Sequence, residues 1–235
     1  MANERYRNEL KYLISPPWYQ ILRQRLRYLL QSDPYAGPSG DYQITSLYFD
    51  DIYDSALHEK LSGVLNREKV RLRIYNGKDD VIMLEKKIKK GDGVRKERLR
   101  IDKQLYTAVI NGDVNTMRQT GHPLVDSIAW QMKHRLLRPK VIVDYCREAY
   151  VYKQGNVRIT FDKRLRSGIT NLNMFCEAPL APAITSNMTI LEVKFDEFLP
   201  RMVQDLLQAT SFTRQAASKY VLCRALAKTH IWEDQ

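Results

Sequence analysis

The sequence predicts an α+β fold in which about eight mostly antiparallel strands curl into a β-barrel with a polar, basic interior, covered on the outside by peripheral α-helices. Three observations carry this expectation. Segment after segment alternates charged and apolar residues with period two, the mark of strands with one wet and one dry face. From Arg67 to Arg100 the charged faces hold Arg and Lys almost exclusively, interrupted by Glu85, where an ordinary half-solvated sheet mixes the two signs. Between the strands lie stretches with helical spacing and cap residues, available to cover the dry faces.

Taken in order, residues 5 to 13 (RYRNELKYL) set Arg5, Arg7, Glu9 and Lys11 on one side and Tyr6, Leu10 and Tyr12 on the other, a strand. Ser15 is placed to cap a helix whose first turn tolerates Pro16 and Pro17 and which runs to the breaker pair Asp33-Pro34. Its apolar residues Trp18, Ile21, Leu22, Leu26 and Leu29 are spaced for one face. After the loop AGPSGD, the segment YQITSLYFDD is rich in aromatic and β-branched residues and reads as a strand. A short helix from about Asp54 to Leu61 leads into the most basic part of the chain.

That part, Arg67 to Arg100, reads as a three-stranded meander. Val70, Leu72 and Ile74 alternate with Lys69, Arg71 and Arg73; Ile82, Leu84 and Ile88 with Met83, Glu85 and Lys87; Leu99 and Ile101 with Lys96, Arg98 and Arg100. Asn76-Gly77 suits the positive φ angles of a tight hairpin turn, and Gly91-Asp92-Gly93 offers the same freedom. A helix follows from near Asp102 to Asn111-Gly112, and another from Pro123 to Leu137, stopped by Pro139. Residues 140 to 152 form a long strand with Arg147 on the side of Tyr145, and NVRITFD alternates Val157, Ile159 and Phe161 against Arg158, Thr160 and Asp162. Residues 170 to 187 are irregular. TILEVKFDEF then opposes Leu191, Val193 and Phe195 to Glu192, Lys194 and Asp196, and two helices, about Pro200 to Ala209 and Arg214 to Thr229, end the chain.

At 235 residues and 44% hydrophobic content the chain can bury a sizeable core, and a single domain over residues 1–235 is expected. The net charge of +11 calls for an anionic partner, which charge alone leaves open among nucleic acid, a membrane surface and phosphorylated molecules. Cys146, Cys176 and Cys223 are too few and too scattered for zinc or a disulfide framework. Together with the polar N-terminus and the lack of a run approaching ~18 apolar residues, they point to a soluble, cytoplasmic protein. The four histidines lack metal-ligand spacing, and no P-loop lysine motif is present.

If the charged faces turn inward, they collect Arg7, Lys11, Arg71, Arg73, Lys87, Lys96, Arg98, Arg147, Arg158 and Lys194 against Glu9, Glu85 and Glu192. So many like charges repel unless an anion sits among them. Guanidinium forks and ammonium groups suit a chain of phosphates, and the few carboxylates suit Mg²⁺ or Mn²⁺, which bind one or two carboxylates and bridge phosphates. The alternative is a set of solvated faces with cross-strand ion pairs, and alternation does not choose between the two.

The ordered series Arg7-x-Glu9-x-Lys11, YFDD followed by Lys60, KVRLRIY, LEKK, KERL, DYCREAY, VRITFD, ILEVKF and Ser218-Lys219-Tyr220 resembles the catalytic domain of the vacuolar transporter chaperone (VTC) polyphosphate polymerases, from about Arg5 to Leu226. These belong to the CYTH-like triphosphate tunnel metalloenzymes. The resemblance implies an eight-stranded antiparallel tunnel, a bound triphosphate or polyphosphate, ATP as phosphate donor and a divalent metal, Mn²⁺ or Mg²⁺. It implies that Lys11, Lys60, Arg71, Arg73, Lys87, Lys96, Arg98, Arg147, Arg158 and Lys194 hold phosphates. Arg71, Arg73, Glu192 and Lys219 would be the catalytic set. Glu192 is the first choice as metal ligand and Glu9 and Glu85 the second, since either could instead orient a neighbouring cation. Arg7 stands where many CYTH hydrolases and cyclases carry the first Glu of Glu-x-Glu-x-Lys, which favours polyphosphate synthesis over a two-metal hydrolytic site. Eukaryotic VTC proteins add a regulatory domain and membrane helices absent from this sequence, so coupling to translocation would need a separate membrane partner. The competing expectations are a tripolyphosphate or nucleoside triphosphate hydrolase on the same fold and a non-catalytic polyphosphate-binding module. Nucleic acid is not expected, because the aromatics fall on the dry sides of strands and helices rather than among the basic residues.

Overall fold

A computed structural model describes residues 7–91, 93–168, 171–176, 180–184, 187–208 and 217–233. In chain order its elements are β1 (Asn8–Ile14), α1 (Pro16–Leu29), β2 (Gln31–Ser32), β3 (Asp41–Asp50), α2 (Ser55–Leu61), β4 (Arg67–Tyr75), β5 (Lys78–Lys90) and β6 (Gly93–Ile101). They continue with α3 (Lys103–Asn111), α4 (Val114–Arg118), α5 (Pro123–His134), β7 (Arg138–Tyr152), β8 (Val157–Gly168), β9 (Ala181–Pro182), β10 (Thr189–Phe195), α6 (Arg201–Gln208) and α7 (Lys219–Glu233). The chain divides into two compact units, each drawn from three stretches. One comprises Met1–Gln43, Tyr145–Arg166 and Pro182–Lys219, the other Ile44–Asp144, Ser167–Ala181 and Tyr220–Gln235.

The α+β class stands, with a large antiparallel sheet in the order β1-β10-β8-β7-β3-β4-β5-β6, to which β2 adds on β7 and β9 on β8. The expected eight-stranded closed barrel needs correction. The sheet has ten strands, two of them only two residues long, and among the described residues the path ends at β1 and β6 without a pairing that would close it. Composition accounts for an open edge at β6. Arg95, Lys96, Arg98 and Arg100 are all exposed there, the charged dressing of a strand hydrogen-bonded on one side only.

In the first unit, α1 lays Leu22, Leu26 and the following Leu30 over Ile14, Tyr150, Val157, Ile159, Phe161, Leu191 and Val193, and α6 adds Val203 and Leu207. Each fully buried leucine contributes about 1.5–3 kcal/mol. The α1 face is narrower than its spacing predicts: Ile21 and Leu29 are exposed, while Trp18 and Tyr19 are partly covered. A buried carboxylate pins this helix. Glu148, on the β7 face opposite Arg147, accepts from Tyr19 Oη (2.6 Å), Arg23 Nε (2.8 Å) and Tyr150 Oη (2.6 Å), with Lys163 Nζ at 3.2 Å. Ser15 occupies the N-cap position without a side-chain bond, and Pro17 at the second helical position removes one of the two N–H groups that a cap serves.

In the second unit, α3, α4 and α5 supply Tyr106, Val109, Met117, Leu124, Val125 and Ile128 to a core under Leu47, Phe49, Val70, Leu72, Ile74, Ile82 and Leu84. Two features match their sequence signals closely. The β4–β5 hairpin closes through Asn76 (φ 52°) and Gly77 (φ 67°), with Tyr75 opposite Lys78. Asp102 caps α3 by accepting from Leu105 N at 2.8 Å, and Gly112 ends it in the left-handed region. Elsewhere boundaries move. The helix expected to reach Leu137 stops at His134, with Leu136 at φ 54° turning the chain into β7. The short helix α4 was not expected from the sequence. At α2 it is Asp50, from the end of β3, that accepts from Ala56 N and Leu57 N, while Asp54 itself sits at φ 56°. The last helix begins at Lys219; the start expected at Arg214 lies outside the described residues. No helix among the described residues is long and apolar enough to cross a membrane.

Candidate functional site

The first unit builds its charged cluster from strand register. Lys11 on β1 lies opposite Glu192 on β10, which lies opposite Thr160 on β8; one row along, Glu9 lies opposite Lys194, which lies opposite Arg158. Directly opposed residues share a face, so both rows present their side chains together. Asp162 follows Thr160 by two residues and keeps to that face. Lys11 Nζ sits 2.8 Å from Glu9 Oε1 and 3.8 Å from Glu192 Oε2, and Lys194 pairs with Glu192 and stands 4.0 Å from Glu9. Lys219, the first residue of α7, pairs with Asp162 and approaches Glu192 Oε2 at 3.7 Å. Arg147 grips Asp162 through Nε (2.6 Å) and Nη2 (2.8 Å), a bidentate fork. Tyr145 supplies a ring to both cations, 5.3 Å from the Arg147 guanidinium and 4.9 Å from Lys219 Nζ.

Glu192 and Asp162 are 4% and 1% exposed, so their charge depends on partners rather than water. Burial pushes both carboxyls up. For Glu192 this is outweighed by Lys194, Lys219 and Lys11, which hold it well below the usual carboxylate range; for Asp162 it is outweighed by Arg147 and Lys219. Burial likewise works against the Lys219 and Lys11 ammonium groups. Asp162 and Glu192 overcome it for Lys219, and Glu192 and Glu9 for Lys11, so both are held in the charged form.

Arg158 on β8 and Arg7, which precedes β1, are spoken for elsewhere. Arg158 pairs with buried Asp33 and donates to Tyr42 Oη at 3.1 Å. Arg7 Nε lies 3.0 Å from Asp196 Oδ1 and Nη2 donates to the Asn156 carbonyl.

The second unit carries the basic meander. Rows run Tyr48–Arg71–Glu85–Arg98 and Ser46–Arg73–Met83–Arg100 across β3, β4, β5 and β6, and Lys69–Lys87–Lys96 across β4, β5 and β6. Glu85, 2% exposed, is the hub: Oε2 takes Arg71 Nε and Nη2 at 2.6 Å each and Oε1 takes Lys96 at 2.5 Å, with Arg73 at 4.0 Å. Arg71 also donates to Tyr48 Oη (2.7 Å) and Arg73 to Ser46 Oγ (3.1 Å), which sets both guanidinium planes. Arg98 is exposed and forms no ion pair among the described residues. Burial and Arg71 bring Lys96 down to about 8, against the pull of Glu85. Lys69, over the Tyr220 ring at 4.3 Å, is brought to about 7 by burial, Lys60 and Arg67. Lys60, on α2, therefore belongs electrostatically to this cluster.

Burial also opposes the Glu85 anion, yet Arg71, Arg73 and Lys96 prevail and lower its pKa from 4.5 to about 2. The folded pKa lies below the unfolded one, so the stabilisation is complete above about pH 4.5 and fades as pH falls toward about 2. It amounts to roughly 3 kcal/mol. Urea melts at about pH 6 and pH 3 should show Glu85→Gln losing less stability between the two than the unsubstituted protein; equal losses would deny Glu85 this role.

A hard divalent cation finds partial accommodation. Among the described residues no group of three or more His, Cys, Asp or Glu side chains forms a cage. Glu9 and Glu192, however, sit either side of Lys11 and Lys194, and two carboxylates completed by phosphate oxygens are a usual Mg²⁺ environment. Glu85 differs: both of its oxygens are taken by Arg71 and Lys96, in the other unit.

Several residues escaped the sequence reading of the site. Asp162 shares an alternation with Arg158 that was visible, but an acid near a strand end looks like turn chemistry. Lys69 alternates in phase with Arg71 and Arg73. Tyr145, Tyr48 and Ser46 carried no signal, because a tyrosine or serine in a strand becomes an orienting group only through its cross-strand neighbours.

Comparison with known proteins agrees with this architecture. The family model described as "VTC domain" matches residues 6–228. Among solved structures, a candidate adenylate cyclase from Bacillus halodurans has a TM-score of 0.51 at 12% identity, covering 91% of this chain and 93% of that one. The PH1819 protein from Pyrococcus horikoshii has a TM-score of 0.49 at 14% identity, covering 95% and 99%. At 12% identity the likeness to the Bacillus protein concerns the fold alone. No curated protein matches the sequence.

Proposed function

We propose, since this chain belongs to the VTC domain family, that it is a polyphosphate polymerase-like phosphotransferase that moves the γ-phosphate of ATP onto a polyphosphate chain. The observation that carries this reading is the cross-strand row Lys69–Lys87–Lys96. Like charges directly opposite one another destabilise a sheet, and a row of three lysines, of which Lys96 also reaches Glu85 in the neighbouring row, makes sense when phosphates lie across it.

In this reading a terminal phosphate oxygen of polyphosphate attacks the γ-phosphorus of ATP, the bond from that phosphorus to the β,γ-bridging oxygen breaks, and ADP leaves. The attacking oxygen is already anionic, so no general base is required. Catalysis is then positioning and charge stabilisation. Arg71 and Arg73, fixed by Glu85, Tyr48 and Ser46, orient phosphate oxygens with Lys87, Lys96, Arg98 and Lys60 around them. In the first unit Lys11, Lys219 and Arg147, kept charged by Glu9, Glu192 and Asp162, turn those charges to phosphate together with Lys194. A bound Mg²⁺ or Mn²⁺ would be held by Glu192 and Glu9 and would neutralise charge on the transferring phosphates. Glu85 serves as the orienting carboxylate of the Arg71 cluster.

The test is one reaction of purified protein with γ-labelled ATP and Mn²⁺, with and without a short polyphosphate primer, resolved for polymer, orthophosphate and ADP. Labelled polymer with ADP supports the proposal. Orthophosphate without polymer replaces it with hydrolysis on the same fold, and tight binding without turnover replaces it with a binding module. Arg98→Ala gives the cleaner binding test, because it releases no carboxylate: affinity for tripolyphosphate should fall about 3- to 10-fold. Arg71→Ala should lose more, since it also frees Glu85 to repel phosphate. Unchanged affinity in both would return the basic face to a solvated surface.

A further inference from the structure

Strand β8 carries two donors that no other group of the described residues uses. Thr160 is 3% exposed and its Oγ1 is buried without a hydrogen-bond partner. Arg158 meets Asp33 and Tyr42 through Nη2, and its Nε is likewise buried and unpartnered. The two residues lie two positions apart on one strand, hence on one face. Thr160 is opposite Glu192 and Arg158 opposite Lys194. Burying a donor without an acceptor forfeits its hydration for nothing, so native structures rarely keep one idle.

The character of the missing partner follows from the donors. Nε–H of arginine can only donate, and a hydroxyl beside it satisfies the same acceptor by donating too. The carboxylate opposite Thr160, Glu192, is engaged by Lys194, Lys11 and Lys219, and those same lysines make the face attractive to an anion. A valine would fill the Thr160 position equally well in a strand, which makes the hydroxyl the part that needs a reason.

We infer that Thr160 is a phosphate-binding residue, its hydroxyl donating, beside Arg158 Nε–H, to a non-bridging oxygen of the bound phosphate chain. This rests on the phosphate-binding reading above and adds to it a neutral contact that a purely electrostatic site would lack. Such a contact discriminates by geometry: it is satisfied only by a phosphate seated between β8 and β10, whereas surrounding lysines follow charge wherever it lies.

The experiment uses the full chain with Thr160→Val, Thr160→Ala and Thr160→Ser, titrated calorimetrically with tripolyphosphate and melted with and without it. Thr160→Val should melt no lower than the unsubstituted protein in the absence of ligand, because it removes an unsatisfied group. It should bind tripolyphosphate about tenfold more weakly and show a smaller ligand-induced rise in Tm. Thr160→Ala, which removes the hydroxyl without adding a methyl, should show the same loss of affinity, and Thr160→Ser should retain it. Binding by both Val and Ala at undiminished affinity overturns the assignment. So does a marked fall in the ligand-free Tm of Val that Ser restores while affinities stay equal, the signature of a hydrogen bond within the protein. If the unsubstituted protein binds no tripolyphosphate at all, the underlying reading fails, a result distinct from binding to which Thr160 is indifferent.

Discussion

A Glu192→Gln variant is expected to lose on the order of a hundredfold in turnover while it goes on binding tripolyphosphate. The carboxylate sits among Lys194, Lys11 and Lys219 and holds their ammonium groups in place. Gln keeps the shape and removes the charge. Three lysines then lose a shared counter-ion, and a candidate divalent cation loses its better buried ligand. Phosphate can replace the missing negative charge for binding, so affinity is kept or improved, but a bound chain held only by lysines is no longer set for attack. The same logic gives a second readout. Without ligand the variant should be less stable by roughly 1–3 kcal/mol, the cost of leaving part-buried cations under-compensated, and tripolyphosphate should restore part of it by mass action. Turnover of γ-labelled ATP together with thermal melts measures both. Full activity would remove Glu192 from the site.

Asp162→Asn is the substitution expected to damage the fold most. Asp162 is 1% exposed and holds Arg147 through two hydrogen bonds while pairing with Lys219. Asparagine offers one acceptor where the carboxylate offered two and turns an N–H₂ toward two cations. Breaking a buried pair of this kind costs about 3–5 kcal/mol, because the abandoned charges cannot reach water. Urea unfolding measures it directly. A loss under about 1 kcal/mol would mean that Arg147 and Lys219 find solvent or another anion, and the cluster would then be looser than its geometry implies. Lys219→Met in the Asp162→Asn background should recover part of the loss, since it removes one of the two stranded charges.

The parts of the site that were legible in the sequence are those written in alternation. Glu9 and Lys11, Glu192 and Lys194, and Arg71 and Arg73 each sit two apart in strands of strong β character, and each pair lies on one face in the structure. The hairpin at Asn76-Gly77 and the Asp102 cap were legible for the same reason: their chemistry is complete within a few residues. Charges on the dry side were not. Lys86 is 7% exposed between apolar neighbours and is tolerated because Ser127 of α5 and Glu68 of β4 reach it at 2.9 and 3.0 Å. Glu148 is tolerated because α1 brings Tyr19 and Arg23 to it. Their partners are distant in the chain, and nothing local announces them.

The same division separates two kinds of information in this protein. Which residues share a face and how basic those faces are were decided by period-two stereochemistry and charge, both local properties of the chain. Which cation each carboxylate holds, that Asp162 joins the cluster and Arg7 leaves it, that the sheet stays open at β6, and that Thr160 keeps an unused hydroxyl were decided by packing. Those outcomes depend on cross-strand register and on burial, which sets how much a charge or donor loses when no partner arrives, and neither exists until strands far apart in the chain have met.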